Sequence, residues 1–182
     1  MKKVFFSDQK RCGDLKLIIK KMPKNSLVIF REYHLENAAR EKLAKEIFAI
    51  CKERSIKFLI GKNFELARKL RADGVHFSDN DKLPLQILNR KNLPKNFIFS
   101  FACHNFLSVL KCKKLKADMV FISPIFATKS HESAKNIGLM HFSKILLASK
   151  MKIFALGGVN KNNLKSLKKL GVQGFGGIEI FL

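Results

Sequence analysis

Short apolar runs recur along this chain at intervals of about 20 residues, each followed by a stretch with helical periodicity. The runs are Val4–Ser7, Ser26–Glu32, Ile56–Gly61, Gly74–Phe77, Phe97–Ala102, Met119–Ile125, Ile153–Leu156 and Phe175–Phe181. Between them, Leu15, Ile18, Ile19 and Met22 fall on one helical face, and Ala39, Leu43, Ile47 and Ile50 form the inner face expected of a helix over Asn37–Arg54. Phe64, Ala67 and Leu70 suggest a short helix. Asn105 caps a helix carrying Phe106, Val109 and Leu110, and Leu139, Phe142, Ile145 and Leu146 mark the next. Asn160 caps a last helix with Leu164, Leu167 and Leu170, which Gly171 ends. Over Asp79–Asn92 one or two helical turns are expected, limited by Pro84 and Pro94. Strands alternating with helices in this way pair in parallel through helical crossovers.

Eight strands and seven helices fit a (β/α)8 TIM barrel, and a doubly wound open sheet is the structural alternative. A typical barrel takes about 250 residues. At 182 residues this one is minimal, a single domain over 1–182 that lacks the helix after strand eight. Phe181 and Leu182 then need cover from the first helix or from a second subunit, so a homodimer is one expectation.

Composition excludes several classes. Hydrophobic content is 47%, which fits a globular core. No apolar run reaches the roughly 20 residues of a membrane span, and the amino terminus lacks a leader pattern, so a cytoplasmic protein is expected. Cys12, Cys51, Cys103 and Cys112 match no zinc spacing and read as reduced thiols. The net charge of +22 raises the possibility of a nucleic-acid surface. The lysines, however, are spread over the polar positions of several helices, without a nucleic-acid motif beside them. Their expected effect is to steer small anionic substrates.

In a barrel the chemistry sits where strands end. The ends here supply Arg31, Lys62, His76, Asp81, His104, Thr128, Lys129, Ser130, His131, Gly157, Gly158 and Gly177. Arg31 offers a fork for a phosphoryl group. His104 and His131 can donate to leaving-group oxygens, and Thr128 and Ser130 are hydroxyl donors. Gly157-Gly158 lets backbone N–H groups approach an anion, and Gly177 completes a second glycine pair at strand eight. Asp81 could hold a magnesium ion bridging a diphosphate, or simply cap a turn.

Three segments in order carry a family resemblance: Ala72-Asp-Gly-Val-His76, Ser123-Pro-Ile-Phe-Ala-Thr128, and Ala155-Leu-Gly-Gly-Val159 followed by Asn163 and Gly171-Val-Gln-Gly174. Together they resemble the thiamine-phosphate synthase and thiazole tautomerase (TenI) barrels. The resemblance implies a transferase that joins a pyrimidine methyl diphosphate to a thiazole phosphate with Mg²⁺. Diphosphate would leave, a pyrimidine cation would form, and the thiazole nitrogen would capture it. On that resemblance Arg31, His104, Thr128, Ser130 and His131 are catalytic. Lys62, His76, Lys129, Gly157, Gly158 and Gly177 bind substrate, and Asp81 binds metal.

The chain departs from the family pattern at defined places. The asparagine–aspartate pair after strand three falls on Gly61-Lys62, so one metal-binding carboxylate becomes a cation. The strand-two lysine falls on Tyr33, the strand-six lysine on His131 with Lys129 nearby, the hydroxyl before the strand-five histidine on Ala102, and a serine beside the phosphate on Glu179. Two further readings follow: a catalytically degenerate barrel that binds a thiamine-related phosphate or an anionic partner, and a thiazole tautomerase, whose catalytic histidine would fall on Pro124.

Overall fold

The strands pair in chain order, each parallel to the next, and the last pairs with the first, so the sheet closes on itself. This is the TIM barrel, not the open sheet. The computed structural model describes residues 1–85, 90, 93–128 and 136–182. The strands are β1 Lys2–Phe6, β2 Leu27–Phe30, β3 Lys57–Gly61, β4 Gly74–Ser78, β5 Ile98–Cys103, β6 Met119–Ile122, β7 Ile153–Ala155 and β8 Gly174–Gly177. The described helices are α1 Gln9–Cys12, α2 Leu15–Lys21, α3 Asn37–Glu53, α4 Phe64–Lys69, α5 Phe106–Lys114, α6 Gly138–Ser149 and α7 Leu164–Lys169.

Two apolar layers result from alternation along the strands. Val4, Phe6, Leu27, Ile29, Leu59, Met119, Phe121 and Phe154 fill the inside of the barrel. Phe5, Val28, Phe30, Phe58, Ile60, Val75 and Phe77 point outward and bury themselves under the helices. Glycines set the inner layer's shape. A Cβ on Gly176 would meet the Phe6 ring at 2.5 Å, and one on Gly174 would meet the Phe154 ring at 2.7 Å, so these positions must stay bare for the aromatic rings to fit.

Several expectations shift. α1 is an extra turn of helix, capped by Asp8, whose side chain accepts from the Arg11 N–H. α3 buries Arg40, Ala44, Ile47 and Cys51, with Leu43 and Ile50 half-buried against the same core as expected and Ala39 exposed. Asn160 accepts from the N–H groups of Asn162 and Asn163, closing a turn ahead of α7 rather than capping the helix itself. β6 stops at Ile122, because Pro124 has no N–H to offer the ladder. β8 stops at Gly177, not Phe181. The chain then forms a 3-10 turn, Glu179–Phe181, that packs the Phe181 ring 5.4 Å from Phe5. That turn lies against the outer side of the β1 wall, where Phe5 points. No described helix is long and apolar enough to cross a membrane.

Candidate active site

A cavity of about 840 Å³ opens at the carboxyl ends of the strands. Its floor is the top of the inner apolar layer. Phe6 meets His76 edge-on at 5.3 Å and Phe121 at 5.1 Å, and Phe121 packs 5.1 Å from Phe154. His76 belongs to this floor. Its Nδ1 lies 2.9 Å from the Ser100 hydroxyl, and burial, assisted by the Arg31 charge, pushes its pKa down to about 3. It therefore meets a substrate as a neutral ring rather than as a phosphate-binding cation.

Arg31 stands at the end of β2. Its N–H donates to the Ser7 hydroxyl at 2.9 Å and its Nε to the Ser7 carbonyl at 2.9 Å, while the guanidinium reaches Asp8 at 3.5 Å and lies 5.7 Å above the Phe6 ring. Glu32, its sequence neighbour, turns away and is buried, accepting from the Gln9 N–H at 3.0 Å. Arg31 is thus anchored by one edge of its fork, and it lines the cavity.

Lys62 follows β3 in a left-handed backbone conformation, with φ of 59°. Its Nζ lies 2.8 Å from Asp81 Oδ1 and 5.3 Å from the Tyr33 ring centre. Asp81 Oδ2 accepts from the Ser78 N–H at 2.7 Å. The ammonium and this backbone hydrogen bond hold the Asp81 carboxyl below its usual range, against the opposing effect of burial. Lys62 lines the cavity, whereas Asp81 sits behind it.

These contacts test the fit of Mg²⁺. A resident magnesium ion takes carboxylate oxygens in an octahedral shell. Here both Asp81 oxygens are occupied and an ammonium sits on one of them. Among the described residues no group of three His, Cys, Asp or Glu side chains converges as a metal site. The described donor set does not fit a divalent cation.

Across the barrel, four strands on from β3, the Gly157-Gly158 turn follows β7. Both glycines have positive φ, 85° and 67°. A Cβ on Gly157 would meet Pro124 at 2.8 Å, and one on Gly158 would run into the Ala127 carbonyl and Phe126. The bare backbone is what lets the β6 and β7 loops pack together, with the Phe126 N–H donating to the Gly157 carbonyl at 3.1 Å. The Gly158 carbonyl accepts from the Asn163 amide at 2.8 Å. Among the described residues none accepts the N–H of Gly157 or Gly158, so the turn keeps donors for an anion. Thr128, Gly177 and Lys161 complete this side of the cavity.

His104, after β5, donates Nδ1–H to the Ser123 carbonyl at 2.8 Å and holds Nε2 3.8 Å from Asp79. Glu179 does face the cavity, but Arg11 pairs with it at 2.6 Å. Lys129, Ser130 and His131 lie outside the described residues.

The structure thus brings Arg31, Lys62, His76, His104, Thr128, Gly157, Gly158 and Gly177 to one cavity, and leaves Asp81 behind Lys62. Sequence reading missed Arg11, Lys161 and Arg40. Arg11 lies in the single-turn helix α1 and Lys161 in a turn after β7, both too short for periodicity to reveal a direction. Arg40 lies in the interior of α3, where a charged residue reads as solvated. Its guanidinium in fact donates to the Arg31 carbonyl at 2.8 Å and the Gly61 carbonyl at 2.7 Å, tying the ends of β2 and β3 together.

Comparison with known proteins decides the family. The thiamine monophosphate synthase family model, TMP-TENI, matches residues 4–180. The chain belongs to the thiamine monophosphate synthase family. An Aquifex aeolicus protein provisionally named thiamine-phosphate synthase 2 is 34% identical over 181 residues, covering 97% of this chain and 95% of its own length. The thiamine-phosphate synthase of Fusobacterium nucleatum is 30% identical over 172 residues, 92% of this chain and 82% of its own. The solved thiamine phosphate pyrophosphorylase of Pyrococcus furiosus superposes with a TM-score of 0.83 at 23% identity, over 98% of this chain and 85% of that one. This last match shows the shared fold.

Proposed function

We propose that this barrel is a thiamine-phosphate synthase, joining hydroxymethylpyrimidine diphosphate to thiazole phosphate to give thiamine phosphate and diphosphate. The observation that carries this reading is the two-poled cavity. Arg31 and Lys62 stand at the ends of β2 and β3, and the Gly157-Gly158 donors stand after β7 on the opposite wall, with a layer of aromatic rings between. One pole suits a diphosphate and the other a monophosphate. The cavity is within the size range of small-molecule sites.

In this reading the methylene C–O bond of the pyrimidine substrate breaks and both electrons leave with the diphosphate. The thiazole nitrogen then gives its lone pair to the same carbon, forming the C–N bond and a thiazolium. The bond exchange itself transfers no proton, and His104 on the cavity wall is placed to assist the departing diphosphate. Arg31 and Lys62 stabilise the charge that grows on the leaving oxygens, and they stand in place before it appears. Neutral His76 and the Phe6 ring line the base of the cavity, an apolar aromatic surface for the electron-poor pyrimidine.

Release of pyrophosphate from the two substrates by purified protein tests the proposal, and Arg31→Ala should lower that rate at least about tenfold. No turnover, with or without Mg²⁺, would overturn it. Retained binding of thiazole phosphate in that case would identify a catalytically degenerate barrel. The tautomerase reading gains nothing from the structure, because Pro124 packs against Gly157 in the β6 loop.

A further inference from the structure

We infer that the Lys62 ammonium, seated on Asp81, is the diphosphate-binding charge of this site in place of a divalent cation, so that diphosphate is bound and released without metal. The inference rests on the synthase reading given above and concerns its diphosphate pole.

The order of groups at the cavity wall carries the argument. Lys62 lines the cavity and Asp81 does not. The Lys62 side chain is 49% exposed, against 16% for Asp81. A ligand entering from the cavity therefore meets the ammonium, with the carboxylate as its support. Asp81 accepts one of the three ammonium N–H bonds, which leaves two for phosphoryl oxygens. The other carboxylate oxygen is taken by the Ser78 N–H. A metal ion arriving at Asp81 would have to displace the ammonium, or sit beside it and be repelled.

Charge balance is kept by this exchange. The lysine and aspartate sum to zero, as do two carboxylates holding one divalent cation. Neither arrangement leaves a fixed excess charge when diphosphate departs.

The ammonium is also held in place. The Lys62 N–H donates to the His76 carbonyl at 2.8 Å, the backbone is fixed in the left-handed region, and Tyr33 lies against the ammonium at 5.3 Å from its ring centre. Tyr33 stands where the family carries a lysine, so the cation lost from β2 is supplied from β3. The carboxylate that does line the cavity among the described residues, Glu179, is paired with Arg11 at 2.6 Å.

Calorimetric titration of the full chain with inorganic pyrophosphate tests the inference without requiring turnover, so a failed synthase assay leaves it standing or falling by itself. Wild-type protein should bind pyrophosphate in EDTA as tightly as at millimolar free Mg²⁺. Lys62→Met should weaken binding in EDTA about tenfold, and Lys62→Arg should restore most of it. Lys62→Asp should bind pyrophosphate only when Mg²⁺ is added. Wild-type binding that requires Mg²⁺, or Lys62→Met binding as tightly as wild type, would overturn the inference. If Lys62→Met fails to fold, the wild-type comparison of EDTA with Mg²⁺ decides alone.

Discussion

His104 donates its Nδ1 proton to the Ser123 carbonyl oxygen at 2.8 Å, which turns Nε2 toward the Asp79 carboxylate, 3.8 Å away. A carbonyl only accepts, so Nδ1 must carry the hydrogen and Nε2 is the nitrogen left to change. Asp79 Oδ1 is buried without a hydrogen-bond partner, and the second oxygen accepts from the His104 N–H at 3.2 Å. His104→Ala should lower kcat about 100-fold while leaving KM for either substrate little changed. Steady-state pyrophosphate release measures the split, and a KM effect alone would reduce His104 to a binding residue.

The glycine turn offers a paired comparison. Gly158 and Gly171 share nearly the same φ, 67° and 70°. A Cβ on Gly158 would collide with the Ala127 carbonyl and Phe126, whereas one on Gly171 would meet nothing within 4 Å. Gly171→Ala should cost only the backbone conformation, about 1 kcal/mol. Gly158→Ala should cost about 3 kcal/mol and weaken thiazole phosphate binding as the two loops part. Urea denaturation and calorimetry on both variants check this, and equal costs would show that packing adds nothing.

The buried imidazole predicts a pH slope. His76 titrates near 6.5 in the unfolded chain and about 3 in the native one, because burial disfavours its charged form. The unfolded state therefore takes up a proton the native state refuses. Stability from this group is complete above pH 6.5 and is lost progressively down to about pH 3, at up to about 1.4 kcal/mol per pH unit. His76→Gln should flatten the stability profile between about pH 5 and 6.5, above the carboxylate range. An unchanged slope in that interval would place the titration elsewhere.

Arg40 holds two carbonyls that no other side chain reaches among the described contacts. Arg40→Met keeps much of the stem but leaves both oxygens unpaired, at a cost of about 3 kcal/mol. Because those carbonyls belong to Arg31 and Gly61, the variant should also raise KM for the diphosphate substrate. Arg40→Lys should recover little, since one ammonium cannot span both acceptors in the fork's geometry. Thermal melts and KM values together test this, and a stability loss without a KM change would make Arg40 purely structural.

The barrel was legible because each strand carries its own apolar run and each crossover its own periodicity, so the pattern repeats before any tertiary contact is known. Strand ends were less legible. An apolar run from Phe175 to Phe181 reads as one strand, yet only the backbone geometry after Gly177 tells a strand from a 3-10 turn that leaves Ile180 and Phe181 half-buried. The site was legible as a set of strand-end residues and illegible in its order. Sequence places Lys62 and Asp81 at neighbouring strand ends, but which of them faces the cavity depends on a left-handed residue at Lys62. Arg40 was hidden for a different reason: burial of a guanidinium depends on carbonyls contributed by two other elements.

The aromatic floor has a bearing on fidelity. A carbon that has just lost its diphosphate reacts with whatever nucleophile is nearest, and water would turn it into a wasted alcohol. Phe6, backed by the buried Phe121 and Phe154 rings, offers that carbon nothing to bond with, and the Nδ1 of His76 is engaged with Ser100. The floor therefore works as an inert surface beneath the reaction. The electrophile lasts until the thiazole nitrogen arrives, and the fraction of substrate lost to hydrolysis is set by how well these rings keep the base of the barrel dry.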